Sequence, residues 1–297
     1  MSKQQYKYHD GVENIKLAFF LNVSFTVVEI IGGILTNSTA ILADAVHDLG
    51  DSIALAQAWY FERLTKNKGS QHYSYGYKRF SLFGALFSSV ILIISSVFIL
   101  SEAIPRLLNP EPSHAPGMIF LAVIGVIVNG VAVFRLSSNK GINAEVVKYH
   151  MLEDMLGWLA ILVVAVVLLF KEIHILDPLL SIALTVYILV GVIRNLIKAS
   201  DILLQATPEK LDTKKFKAEL QSIESISRIH HFHVWSLDGE QSVMTAHLIT
   251  HKALSAKEYA LVKAEINAVV LAHEVFHSTV ELEWPNESCR IETSDCC

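Results

Sequence analysis

Long apolar runs alternate with short polar stretches along the first 205 residues of the chain. A helix needs about 20 mostly apolar residues to cross the hydrocarbon core of a bilayer, and six of the runs approach that length. The pattern therefore predicts an α-helical membrane protein with a six-helix transmembrane domain over residues 1–205. The predicted helices are Ile15–Leu35, Thr39–Phe61, Phe80–Ile104, Met118–Leu136, Val146–Phe170 and Leu176–Leu196.

The pattern changes at residue 206, where the apolar runs become short and amphipathic. Thr207 followed by Pro208 is typical of a helix start, and alternation around Asp238-Gly239 indicates two strands joined by a turn. The predicted elements are a helix over 208–223, strands over 229–237 and 242–250, a helix over 255–272 and a strand over 278–284. This αββαβ order predicts a small α+β domain over residues 206–297, with helices on one face of a sheet.

The basic residues favour one orientation in the membrane. Segment 62–79, between the predicted second and third helices, holds five Lys and Arg residues, whereas segment 36–38 has none and segment 105–117 has one. Cytoplasmic loops are enriched in Lys and Arg, so we expect segment 62–79 in the cytoplasm. Both termini are then expected in the cytoplasm as well.

Charge and histidine are concentrated in the tail. From residue 206 onward there are 9 Lys+Arg and 14 Asp+Glu, which gives the whole net charge of −5, because the preceding part holds the remaining 15 of each. Seven of the 13 histidines lie there too. Such a domain suits metal cations and argues against nucleic acid. The three cysteines lie in the last nine residues, which favours a reduced, cytoplasmic tail over a disulfide framework.

Two His-x-x-x-Asp pairs, His47/Asp51 and His150/Asp154, lie on the predicted second and fifth helices. Ionisable groups are costly inside a bilayer, so four of them at matched spacing require a physical reason. Residues i and i+4 share one face of a helix, so each pair offers one imidazole and one carboxylate to a common space. Two such helices facing each other would provide a tetrahedral ligand set for zinc.

The same residues allow other interpretations. The four side chains could be hydrogen-bonded between helices with no ion bound. The neighbouring acids Asp44, Asp48 and Glu153 could support the ligands, lie at a helix end or be solvated. Their roles stay open at the level of sequence.

Zinc binds neutral imidazole and carboxylate but not their protonated forms, so metal binding expels protons. A site that opens alternately to two compartments would exchange Zn²⁺ for H⁺. A membrane metalloenzyme is disfavoured because the two matched His/Asp pairs would close a tetrahedron and leave no open position for a catalytic water or a substrate. A passive metal-conducting protein and a sensory membrane protein without proton coupling remain alternatives.

Several stretches resemble the cation diffusion facilitator family. Segments 41–51 (ILADAVHDLGD) and 150–154 (HMLED) resemble the second and fifth spans of that family. Segment 74–79 (SYGYKR) is similar to the start of their third span, and 230–236 (HHFHVWS) to the first strand of their cytoplasmic domain. The resemblance implies a homodimeric zinc/proton antiporter with six spans and a ferredoxin-like cytoplasmic domain. Histidine in both metal-binding spans is similar to the zinc branch.

The resemblance also implies roles for individual residues. The implied transport site is His47, Asp51, His150 and Asp154. The implied cytoplasmic zinc ligands are His231, His247 and Glu283, with His233 as a further candidate on the same strand face as His231. Cys289, Cys296 and Cys297 are either further ligands or an exposed tail, and Arg79 and Asp201 resemble a charge pair that clamps the dimer.

Two departures from the family pattern refine these expectations. Segment 70–77 holds only His72 where some members have an Asp and two His, so we expect that additional site to be absent or weaker. Segment 137–143 lacks a His-rich insert, which favours an exporter of a bacterial plasma membrane. Selectivity among Zn²⁺, Cd²⁺ and Co²⁺ does not follow from the ligand types.

Overall fold

The computed structural model describes residues 3–64, 71–136 and 142–287. Its elements are α1 (Lys3–Thr36), α2 (Thr39–Leu64), α3 (Phe80–Leu108), α4 (Ala115–Leu136), α5 (Ile142–Phe170), α6 (Leu176–Leu203), α7 (Thr213–Gln221), β1 (Ile226–Ser236), β2 (Ser242–Thr250), α8 (Ala256–Ala272) and β3 (Val275–Glu283). The described residues form two compact units, one of residues 3–64 and 84–196 and one of residues 71–83 and 197–287.

Four of the long helices contain a described stretch that is long and apolar enough to cross a membrane. These stretches are Phe19–Thr36 in α1, Phe80–Leu108 in α3, Met151–Phe170 in α5 and Leu176–Leu203 in α6. The apolar stretch of α4 is shorter, and α2 is interrupted by acidic residues. The protein is therefore an integral membrane protein with a small C-terminal α+β domain, and the count of six spans stays a prediction.

Close packing of α4 on α5 depends on a glycine. Trp158 of α5 is 1% exposed, and a Cβ atom added at Gly125 of α4 would lie 2.3 Å from its Cδ2 atom. Phe25 of α1 meets the same indole edge-on, with ring centroids 5.9 Å apart. The three helices thus share one apolar core. This core fixes the position of α5 and of Asp154, which lies one turn before Trp158.

A buried carboxylate of α6 caps the start of α2. Asp177 accepts hydrogen bonds from the Ser38 hydroxyl (2.5 Å) and the Thr39 backbone N–H (2.7 Å). Ser181, one turn along α6, donates to the Thr39 carbonyl at 2.9 Å. A negative group at a helix N-terminus satisfies otherwise unpaired N–H groups and complements the helix dipole. These contacts fix the beginning of the helix that carries His47.

The second unit contains a three-stranded sheet in the order β1-β2-β3. β1 and β2 are antiparallel, and β2 and β3 are parallel, as expected when α8 connects them. Buried side chains of α7, α8 and the strands form one core, including Phe216, Leu248 and Ile266. The observed αββαβ order agrees with the sequence pattern.

The predicted start of the first tail helix was wrong. α7 begins at Thr213, and its N-cap is Asp212, whose carboxylate accepts from the Lys215 backbone N–H at 3.0 Å. Residues Pro208–Leu211 form a turn instead, closed by a hydrogen bond from the Leu211 N–H to the Pro208 carbonyl. The helix therefore begins after the aspartate cap at Asp212 and not at the helix-start sequence Thr207-Pro208.

Candidate metal centres

Three predicted transport ligands lie together between α2 and α5. The Nε2 atom of His47 lies 3.8 Å from Oδ2 of Asp51 and 3.7 Å from Oδ1 of Asp154. One ligand atom from each residue lies within 4.8 Å of the others. Ligand atoms of a tetrahedral zinc site are about 3.4 Å apart, so a small contraction would fit the ion. Asp154 is buried, and the other two are partly exposed.

The fourth predicted ligand is on the correct helix. His150 lies on α5 four residues, or about one helical turn, before Asp154. Its side chain lies outside the part of the chain whose side chains are described. Its membership of the site therefore stays a prediction.

A cavity of about 400 Å³ borders two of the three ligands, His47 and Asp154, and is lined by α2, α5 and α6. Of the acidic residues with open roles, Asp44 and Asp48 are buried on α2, whereas Glu153 is exposed on α5. Neither Asp44 nor Asp48 joins the converging ligand group found among the described residues. The lining residues that carry polar groups are Asp44, His47, Glu153, Asp154 and Tyr187.

Two polar residues of α1 also lie against α2, and neither was predicted from the sequence. Asn22 donates from Nδ2 to the Asp48 carbonyl (2.9 Å) and to the Ser52 hydroxyl (3.0 Å). Glu29, two turns further along α1, is buried. Their spacing of seven residues within an apolar run is the signal that could have identified them.

A second cluster lies in the tail and contains His230, His247 and Glu283. The two oxygens of Glu283 lie 2.7 Å from Nε2 of His230 and 2.5 Å from Nδ1 of His247. Burial alone would raise the pKa of Glu283, but the hydrogen bonds from His247 and His230 outweigh it and hold this pKa below its usual value. Two imidazoles and a carboxylate with converging ligand atoms form a plausible zinc-binding set.

This cluster contains two of the predicted tail ligands, His247 and Glu283, but neither His231 nor His233. β1 has a register shift between His230 and His233, and His231 adopts a left-handed backbone conformation with φ of 47°. The predicted set was implied by the family resemblance, and the bulge breaks the alternation of strand faces that placed His233 beside His231. The ring of His231 lies 5.0 Å from that of His247, centre to centre, and His233 is exposed.

The remaining predicted residues do not form a site in the described chain. Cys289, Cys296 and Cys297 lie outside the described residues. Arg79 lies just before α3, Asp201 is exposed in the last turn of α6, and no ion pair joins the two within the described part of the chain. An intermolecular charge pair stays a prediction. His72 is exposed.

The profile of the cation efflux transmembrane domain matches residues 15–204, which is more than half of the chain. The chain belongs to the cation efflux family. The resemblance to the cation diffusion facilitators is therefore confirmed, and the protein is a transporter rather than an enzyme.

Curated members of the cation efflux family align with nearly the whole chain. The zinc transporter ZitB of Pectobacterium atrosepticum is 31% identical over 272 residues, which cover 90% of this chain and 84% of the relative. The cadmium, cobalt and zinc/H(+)-K(+) antiporter of Bacillus subtilis is 29% identical over 271 residues, with coverage of 90% and 87%. The metal cation efflux system protein CzcD of Cupriavidus metallidurans is 25% identical over 272 residues, with coverage of 91% and 86%.

Proposed function

We propose that the protein exports Zn²⁺ from the cytoplasm in exchange for protons, with Cd²⁺ and Co²⁺ as further substrates. The observation that carries this proposal is the convergence of His47, Asp51 and Asp154 from two helices of the membrane unit. His150, one turn before Asp154, would complete a set of two imidazoles and two carboxylates. Among the relatives, the ZitB protein is named a zinc transporter, and the Bacillus protein is named an antiporter of these three metals.

The ligand chemistry explains the proposed exchange. Two carboxylates balance the charge of a divalent cation in an environment where an unbalanced charge is costly. Protons compete with the metal for the imidazoles and carboxylates, so a proton arriving from the outer side favours metal release. A membrane potential and a pH gradient that are inside negative and alkaline would drive protons inward and metal outward. Alternating access of the site to the two sides completes the cycle.

The tail would bind the same ion in a different role. We propose that His230, His247 and Glu283 bind zinc and that this binding supports dimerisation or regulation. The net charge of −5 from residue 206 onward raises the local concentration of cations near the tail. The proposed assembly is a homodimer in a bacterial inner membrane, with both termini in the cytoplasm.

The test is metal transport by the purified full-length protein in liposomes, with Zn²⁺ flux and internal pH recorded together. We expect His47→Ala and Asp154→Asn to lower zinc flux by about tenfold or more, because loss of even a supporting group near a metal costs 10–100-fold. His72→Ala, which removes an exposed histidine, is the matched control and should transport normally. Zinc flux without proton movement would instead establish passive conduction, and absence of flux in the wild type would favour a sensor.

A further inference from the structure

Glu29 is a buried acid in the middle of an apolar helix. It lies within the membrane-crossing stretch Phe19–Thr36 of α1, and only 1% of its surface is exposed. Neither of its carboxylate oxygens has a hydrogen-bond donor among the described residues. A buried carboxylate without a donor is costly when it is ionised, so its ionisation state needs an explanation.

The groups that face Glu29 are themselves acids. The Asp48 carboxyl of α2 lies within hydrogen-bonding reach of it, and Asp44 of α2 and Asp154 of α5 are close enough to repel a negative charge on it. α4, which also packs on α1, has no titratable residue between positions 115 and 134. The groups that act on Glu29 in the described structure are therefore all acids, and the nearby His47 acts on Asp48 and Asp154 instead.

A proton on one of the facing carboxyl groups would remove the repulsion between them. Ionised carboxylates are acceptors only, so the facing Glu29 and Asp48 carboxyls can form a hydrogen bond only when one of them is protonated. A divalent cation at the nearby ligands would supply positive charge and reverse the balance. Glu29 lies outside the group of converging ligand atoms, and its oxygens form no comparable group with Asp44 and Asp48. The position suits a proton better than a metal ion.

We infer that Glu29 is a proton-binding site: it holds a proton when the transport site is empty and releases that proton when the metal binds. The O–H bond of the Glu29 carboxyl breaks, the proton leaves to solvent and the carboxylate remains opposite the bound cation. This inference rests on the proposed exchange of metal for protons. It adds to the proposed transport cycle a residue that carries a proton and is not a metal ligand.

The experiment measures the protons released when Zn²⁺ binds to the purified full-length protein. Calorimetric titrations in two buffers of different ionisation enthalpy give this number directly. Glu29→Gln keeps the shape of the side chain and a donor for Asp48 but cannot titrate. Glu29→Asp restores a carboxyl, and Glu102→Gln removes an exposed acid of α3 as the matched control.

We expect Glu29→Gln to bind zinc with an affinity within about threefold of wild type and to release about one proton fewer per ion. The pH dependence of its zinc affinity should become shallower, while Glu29→Asp and Glu102→Gln should resemble the wild type. Unchanged proton release in Glu29→Gln overturns the inference. Loss of zinc binding in Glu29→Gln also overturns it, because the side chain would then be a ligand or a packing group.

If the proposed function itself were wrong, the transport experiment with the wild-type protein would already show it. Wild-type liposomes would then transport no zinc or would move zinc without protons, whatever residue stood at position 29. If the wild type couples the two fluxes and Glu29→Gln keeps the same ratio of protons to zinc, only the inference about Glu29 is wrong.

Discussion

His230 and His231 are adjacent in sequence but have different surroundings. We therefore predict a large loss of zinc affinity when His230 is replaced by alanine and a smaller loss when His231 is replaced. We expect His230→Ala to lower zinc affinity of the tail by at least about tenfold, because it removes one of three converging ligand atoms. His231→Ala should have a smaller effect, because His231 lies outside that group. Zinc titration of the full-length protein with Asp154→Asn in the background, to remove the membrane site, would measure the tail alone. A larger loss in His231→Ala would contradict the assignment.

The two sites differed in how far their residues could be predicted from sequence. The spacing of His47 and Asp51 fixes their common face through helix geometry alone, and these side chains do converge with Asp154. The choice between His230 and His231 depends on a bulge that no residue pattern in β1 indicates. Glu29 was visible as an acid in an apolar run, but its pairing with Asp48 depends on which helices pack together.

At the scale of single elements, the contact between α4 and α5 leads to a stability prediction. Gly125→Ala would place a methyl group 2.3 Å from Trp158, so we expect it to destabilise the protein by about 1–3 kcal/mol, the usual cost of overpacking. Gly191→Ala in α6 is the matched control, because nothing lies within 4 Å of its added Cβ. Thermal unfolding in detergent checks both. Equal unfolding temperatures for the two variants would show that α4 can shift without cost.

The start of α8 is predicted to be sensitive to acid. Ser255 and Glu258 form a capping box, and Glu258 also accepts from Lys252 at 2.7 Å. The hydrogen bond from Lys252, together with those from Ser255, lowers the pKa of Glu258 from 4.5 to about 2. A lowered pKa in the folded state means that this stabilisation is complete above the usual value and is lost as the pH falls towards the folded value.

We therefore expect amide protection factors in residues 256–259 to fall as the pH is lowered from about 5 to about 3. Hydrogen exchange of the full-length protein measures this locally. Glu258→Gln should have weaker protection at neutral pH and little further response to acid. An identical acid response in that variant would assign the effect to other carboxyl groups.

The type and order of the helices and strands could be predicted from the pattern of apolar residues. Where each element begins and ends could not, because strand pairing and competing helix caps decide these positions. The six long helices and the αββαβ tail appear in the predicted order. β1 begins at Ile226 and β3 at Val275, each three residues before its predicted start. Backbone pairing with β2 extends both strands, and pairing between strands is not encoded in the local pattern.

At the scale of the whole molecule, the distribution of Lys and Arg predicts a definite topology. After Cys289, Cys296 and Cys297 are replaced by serine, a single cysteine at an exposed position reports its side of the membrane. We expect His114→Cys, between α3 and α4, to react with an impermeant maleimide in intact spheroplasts, and Ser74→Cys to react only after lysis. Both positions are exposed, so accessibility within the protein does not separate them. Labelling of Ser74→Cys in intact spheroplasts would reverse the proposed orientation.

The position of Trp158 makes the protein its own optical probe. The indole is buried against Gly125 and Phe25 and lies four residues after Asp154 on α5. The chain has only four tryptophans, so replacing Trp59, Trp235 and Trp284 by phenylalanine would leave Trp158 as the one tryptophan that can be selectively excited. Its fluorescence would follow the packing of α4 on α5 during metal loading, in real time and without an attached dye.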